Sequence, residues 1–282
     1  MYSELNLDLQ AFAKRVYDSI LYQSTFYKFL NPAYIGDLRQ TGAPVIEIAK
    51  TNALSVNVRE TKEIQSQLTP SLVTYGRTMV DLTELNMDYS IRVPLMITGS
   101  DITNAVEDAA DLQDSAIAEK IDEYGYGKLN ANVNIEEVEW APQTAEDYIN
   151  LLNDLRAKLF NKKITRDYRI GLGATEYAKY VSALTSVLKF ETLAGREGVD
   201  MGDIAVAYGV SAFEINDNVL DGTIGYFFNP IAVVGDTFMS QFVQHNSPQG
   251  YPGYYVMEGT QSFGAEVVRP EAIIRLVEEV SA

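Results

Sequence analysis

Cysteine is absent from this 282-residue chain, and histidine occurs once, at His245. Without thiols there is no disulfide framework, no thiolate nucleophile and no cysteine-bound zinc or iron–sulfur centre. A single imidazole cannot build a His-rich metal site either. Basic residues are scarce: 22 Lys and Arg stand against 39 Asp and Glu, for a formal net charge of −17. So acidic a surface repels phosphate backbones, which argues against a free-standing nucleic-acid-binding module. It leaves open a wall that encloses DNA without gripping it. No window approaches the roughly 20 apolar residues that a membrane-spanning helix needs. Met1 to Gln10 carries Glu4 and Asp8 but neither a basic patch nor an apolar run, so no signal peptide is expected there.

What is present is a folding-competent apolar fraction, 46%, enough for a sizeable core in one large domain or two intertwined ones. The most informative stretch is Val80 to Lys128. Leu85, Met87, Tyr89, Ile91 and Val93 alternate with polar partners, the signature of a strand with one buried face. After Gly99-Ser100-Asp101 the period changes. Ile102, Ala105, Val106, Ala109, Leu112, Ala116, Ile117, Ile121 and Tyr124 recur at helical spacing, with Glu107, Asp108, Asp111, Asp114, Glu119 and Asp122 between them. A long strand running into a long acidic helix suits a component that spans distance.

Around that stretch, Leu5 to Leu21 has the spacing of an amphipathic helix, and the aromatic run Tyr22 to Tyr34 follows, broken at Asn31-Pro32. That run either docks on a neighbouring molecule or packs on its own subunit. Thr41 to Pro44 is a turn; Val45 to Ile48 and then Leu54, Val56 and Val58 are strand-like. Arg59 to Pro70 is a polar tip, and strand character resumes at Leu72 to Val80, so a long two-stranded ribbon is expected. A bulge or bend falls near Thr83-Glu84. Further on, Thr144 to Asp147 forms a capping box before a helix carrying Tyr148, Leu151, Leu152, Leu155 and Leu159. Tyr168 to Leu172 is a strand and Ala174 to Leu188 a helix. Short strands are expected at Ile204 to Phe213, Gly225 to Phe228, Ile231 to Val234, Met239 to Val243 and Phe263 to Val268. Strands and helices mix without a βαβ rhythm, so the class is α+β.

Candidate chemistry is thin. Gly171-Leu172-Gly173-Ala174 precedes a helix but lacks a third glycine and a P-loop lysine, so a structural turn is favoured over a phosphate cradle. Glu136 with Glu137, Glu107 with Asp108, and Glu278 with Glu279 could supply paired carboxylates for glycoside hydrolysis, yet solvated faces make such pairs everywhere. His245 sits in the turn-rich segment His245 to Gly253, with no Ser/His/Asp context around it. Lys158, Lys162, Lys163 and Arg166 gather where a helix C-terminus favours cations, and an anion site is the alternative. No catalytic, cofactor-binding or metal-binding residue is assigned, and no enzyme is expected.

The order of these segments resembles the major capsid protein of tailed bacteriophages, the Hong Kong 97-like fold shared with encapsulin shells. The resemblance covers most of the chain. It is carried by Ile117-Ala118-Glu119-Lys120-Ile121-Asp122 in the long helix, by Tyr168-Arg169-Ile170-Gly171 with the following helix, and by Val267-Val268-Arg269-Pro270-Glu271-Ala272 near the end. It implies an N-terminal arm over 1–40, an extended β-ribbon loop over 41–82, a peripheral domain over 83–128 and 261–282 with the long helix as spine, and an axial domain over 129–260. It further implies self-assembly into hexamers and pentamers of an icosahedral head in the virion, built in the host bacterial cytoplasm. Double-stranded DNA would be enclosed without sequence-specific binding. The implied partners are further copies of the chain, a separate scaffolding protein and a portal protein, with no membrane. Lys50 and Lys62 lie in the ribbon, but no asparagine is singled out as a cross-linking partner. The rival expectations are an encapsulin-like compartment that packs protein cargo and, from another class, a carboxylate-based hydrolase.

Overall fold

The computed structural model describes residues 19–20, 23–35, 45–51, 75–94, 100–187, 206–207, 209–246 and 253–278. Among them the elements run β1 (Val45–Thr51), β2 (Tyr75–Asp81), β3 (Leu85–Pro94), α1 (Ser100–Ala131), β4 (Glu136–Glu139), α2 (Ala145–Asn161), β5 (Tyr168–Gly173), α3 (Ala174–Val187), β6 (Val206–Ala207), β7 (Val210–Ile215), β8 (Gly225–Phe228), β9 (Val233–Asn246), β10 (Tyr254–Val267) and β11 (Ile273–Val277). The class is α+β. The expected helix at Leu5 to Leu21 lies almost wholly outside the described residues, as do the ribbon tip at Arg59 to Pro70, Lys62 and the loop at Gly195 to Gly202.

Local chemistry accounts for several boundaries. The alternation that begins at Leu85 becomes β3, with Leu85, Met87 and Tyr89 packed on the main core and Asn86, Asp88 and Ser90 exposed. Between β2 and β3 the chain turns at the anticipated place, where the backbone N–H and the hydroxyl of Thr83 both donate to Asp81 Oδ1. At the start of α2, Thr144 Oγ1 accepts from the Asp147 N–H while the Asp147 carboxylate accepts from the Thr144 N–H, a capping box with Asp in place of Glu. Tyr148, Leu152, Leu155 and Leu159 form the buried stripe of that helix.

Three sheets organise the described strands. β1 and β2 pair antiparallel as a two-stranded ribbon base. A three-stranded sheet has the order β3-β10-β9, and a six-stranded sheet the order β4-β11-β8-β5-β7-β6. The sheets join segments that the resemblance assigns to the peripheral and axial parts. β11, placed with the peripheral segments, pairs with β4 and β8 inside the six-stranded sheet. The first half of β10, placed in the axial segment, pairs with β3, and β9 pairs with β10 on its other edge.

Two expectations about local structure are corrected. Ile231 to Val234 and Met239 to Val243 are not separate short strands: Pro230–Ala232 is a 3-10 turn, and β9 then runs as one strand to Asn246 because its ladder with β10 resumes across a register shift at Ser240. His245, expected in a loop, is consequently a strand residue opposite Val256. In α1 Ile117 and Ile121 are buried as expected, but other positions depart from the expected pattern. Leu112 is 75% exposed and Ala116 exposed, whereas Asp114 and Asp122 are buried beside Ile117, Ile121, Tyr126 and Leu129. Apolar spacing alone cannot report that a carboxylate has buried donors waiting for it.

Candidate functional site

Asp122 is the carboxylate that organises the N-terminal side of the molecule. It accepts hydrogen bonds from Ser24 Oγ at 2.5 Å, Thr25 N at 3.1 Å, Thr25 Oγ1 at 2.8 Å and Phe26 N at 2.9 Å. These donors lie at the entrance of the 3-10 turn Phe26–Lys28, so the side chain serves as a cap supplied from about a hundred residues away. A buried charge is tolerable only with this degree of hydrogen bonding.

The turn delivers aromatic side chains into the core. Phe29, fully buried, stacks on Phe228 and meets Tyr126, Tyr226 and Phe213 edge-on with centroids 5.5 to 5.9 Å away. Phe26 meets Tyr126 at 5.5 Å and Phe263 at 6.2 Å. One five-residue stretch therefore touches the long helix, the three-stranded sheet through Phe263 and the six-stranded sheet through Phe213, Tyr226 and Phe228. Leu30 then makes a parallel bridge to Val233. Of the two expectations for the aromatic run, packing on its own subunit holds for Phe26 to Leu30. Gly125 permits the fit: a Cβ there would overlap the Phe26 ring, which explains a glycine inside a helix despite its cost of about 1 kcal/mol.

At its C-terminus, less than three turns beyond Asp122, α1 is held by Arg275 of β11. Arg275 Nη2 donates to the carbonyl oxygens of Leu129, Asn130 and Asn132 at 2.6, 2.9 and 3.2 Å, and Nη1 to Glu137 Oε1 at 2.7 Å. Carbonyls at a helix C-terminus lack intrahelical donors and carry partial negative charge, so a guanidinium suits them on both counts. The long helix is thus tied to the six-stranded sheet by charge as well as by packing.

The ribbon base joins the body through a smaller core. Ile46 and Ile48 of β1 and Val80 of β2 are buried with Leu82, Val234 and Val268, while Met79 on the opposite face is 69% exposed. Gly264 of β10 is a close-approach point, since a Cβ there would overlap the Asp81 carbonyl oxygen. Below the turn, Glu84 accepts from Lys128 and from the Tyr124 hydroxyl, and Lys128 also reaches Glu266 at 3.2 Å. Hydrogen bonds from Lys128 and then Tyr124 hold the Glu84 carboxyl below its usual range. Burial, helped by the Glu84 contact, pushes the Tyr124 phenol up to about 12.

The residues weighed for chemistry do other things. Gly171 and Gly173 lie within β5, and the Gly173 N–H is committed to the Ile224 carbonyl. Glu136 and Glu137, neighbours on β4, go to different partners: Glu136 accepts from Lys158 and Lys162, each at 2.7 Å, and Glu137 from Arg275. Those lysine contacts hold the Glu136 carboxyl below its usual range. The side chains of Glu107 and Asp108, and Glu279, lie outside the described residues. The expected basic cluster is therefore divided, with Lys158 and Lys162 neutralised by Glu136 while Lys163 and Arg166 border a separate surface cavity. Asp122 and Arg275 were not legible as site residues. The one available signal was Gly125 in the middle of a helical pattern.

Solved structures with the same path of chain were found. A structure from Mycobacterium phage Che8 superposes with a TM-score of 0.62 over 92% of this chain and 93% of its own, at 16% identity. The capsid of cyanophage P-SCSP1u gives 0.61 over 85% and 84%, at 14% identity. The fold is the Hong Kong 97-like capsid fold. A virus-like particle from Pyrococcus furiosus extends the comparison, with a TM-score of 0.54 over 95% of this chain and 98% of that one, at 11% identity. No protein-family model matches the sequence, and neither does any curated protein. In this chain the Hong Kong 97-like fold rests on contacts such as the Asp122 cap, the Phe29 cluster and the Arg275 clamp.

Proposed function

We propose that the chain is a structural, non-catalytic major capsid protein that assembles into the hexamers and pentamers of an icosahedral phage head enclosing double-stranded DNA. The supporting observation is the superposition of nearly the whole chain on phage structures, one of them a capsid. The physical features agree with it. A two-stranded ribbon is marginal alone in water, and the exposed Met79 face of its base gains a partner when copies are tiled. Heterologous contacts that close on themselves then give rings.

In this reading residues 1–40 supply an arm and 41–82 a ribbon loop. The sheet memberships favour an axial part built on the six-stranded sheet, including β11, and a peripheral part built on α1 with β3, β9 and β10. Assembly would take place in the host bacterial cytoplasm, with a separate scaffolding protein and a portal protein, and the product would be part of the virion. The fit to a virus-like particle favours a second reading, a protein compartment of the encapsulin type. Electron microscopy of the purified chain with analysis of particle contents tests both. Uniform icosahedral particles holding DNA support the head, the same particles holding protein support the compartment, and a compact monomer overturns both.

A further inference from the structure

In a chain of net charge −17, positive charge without an ion-pair partner is conspicuous, and among the described residues it gathers at one place. A surface cavity of about 360 Å³ between the α2–β5 connection and the turns at Asn31 and Asn229 is bordered by Lys163, Arg166, Arg169 and Arg269, with Asp167 as its one acid. Among the described residues, Lys163, Arg166 and Arg269 make no ion pair, and all three are exposed. The framework around them is fixed. Arg169 is half-buried and donates to the Lys28 carbonyl at 2.7 Å. Asn229, 9% exposed, donates to the Arg166 carbonyl and accepts from the Ile231 N–H at 2.9 Å. Lys163 and Asp167 both hold left-handed backbone conformations, φ 65° and 53°, which set the course of the loop that carries the charges. Four cations against the single carboxylate of Asp167 leave this concavity with net positive charge, whose self-repulsion is relieved when an anion is received there.

We propose that this cavity receives carboxylate side chains of a second copy of the chain. This rests on the shell reading above, and goes beyond it by naming the socket. Charge complementarity favours that occupant: a neighbouring copy presents 39 acidic residues against 22 basic ones, and guanidinium groups pair with carboxylates in bidentate geometry. A duplex, whose phosphates lie on a wide stiff cylinder, fits a concavity of this size poorly, whereas one or two side chains fill it. Contacts of this kind set register between subunits and are sensitive to salt.

The test is zero-length carbodiimide coupling, which joins an amine only to a carboxylate it touches, applied to purified particles. In the dimer band of a denaturing gel, linked peptides are expected to join Lys163 to an Asp or Glu remote from it within one copy. Particles whose dimer bands never contain Lys163 overturn the assignment while leaving the shell reading intact. Lys163 recovered on DNA after formaldehyde treatment also overturns it, because the occupant is then phosphate. A chain that forms no particles defeats the shell reading and the socket together. As a second readout, the double variant Arg166→Glu with Arg269→Glu is expected to lower particle yield by roughly tenfold or more. Its far-ultraviolet circular dichroism should match wild type. Wild-type yield from that variant contradicts the proposal.

Discussion

The segment Ser24 to Leu30 and the ribbon β1–β2 both lie outside the two larger sheets, yet they are stabilised in opposite ways. The first gives its backbone donors to a buried carboxylate and its rings to both large sheets, so it is part of the subunit's own core. The described part of the second is anchored where Ile46, Ile48 and Val80 cover Val234 and Val268, while Met79 on the opposite face is exposed. One segment is spent on holding a subunit together; the other keeps surface for something else. Resemblance to known shells put both outside the globular body as arm and loop, and the physical contacts separate them.

That contrast can be broken most directly at Phe29. Phe29→Ala removes a fully buried ring in contact with those of Phe26, Tyr126, Phe213, Tyr226 and Phe228 and is expected to cost about 3–5 kcal/mol in chemical denaturation. A loss below 1 kcal/mol would mean that the segment is not part of the core. Asp122→Ala leaves the Ser24 hydroxyl and the Thr25 and Phe26 N–H groups without their acceptor, for a loss of roughly 2–4 kcal/mol, and Asp122→Asn should recover part of it. At the ribbon base, Gly264→Val forces the Asp81 carbonyl away and should cost about 1–3 kcal/mol in thermal unfolding, with the Phe29 cluster unaffected by near-ultraviolet circular dichroism.

The smallest effect is a pH dependence. Glu84 and Glu136 have folded-state pKa values below their ordinary 4.5, so their contribution is complete above that value and is lost as pH falls through the depressed ones. Below pH 4.5 the double variant Glu84→Gln with Glu136→Gln is therefore expected to lose stability less steeply than wild type. Each exposed pair is worth at most about 1 kcal/mol, so an equal slope would assign acid sensitivity to other groups.

Much of the fold was visible in the sequence because periodicity is a local property. β3, the capping box at Thr144 and the stripe of α2 follow from the side chains within each element. The parts that were not visible depend on partners distant in sequence. Asp122 and Asp114 read as solvated positions because nothing near them in sequence reveals the donors of residues 24–26 or the burial under the helix. Arg275 looked like one charge in an apolar run, and its role needs the helix end at Leu129 to Asn132. β9 looked like two strands because Gly235-Asp236 interrupts its apolar run, and only the ladder with β10 joins the halves. The basic socket combines residues from 163 to 269 with turns at 31 and 229, so half of it was legible as a cluster and half was not.

The central claim is that the subunit stands on its aromatic segment and tiles through its ribbon. It is tested by replacing residues 52–74 with an Asn-Gly turn, which closes β1 onto β2 as a short hairpin. The variant should unfold within about 1 kcal/mol of wild type, the range of a surface change, yet sediment only as free subunits under conditions where wild type forms particles. Particles at wild-type yield from the shortened chain, or loss of the folded subunit, would contradict the account.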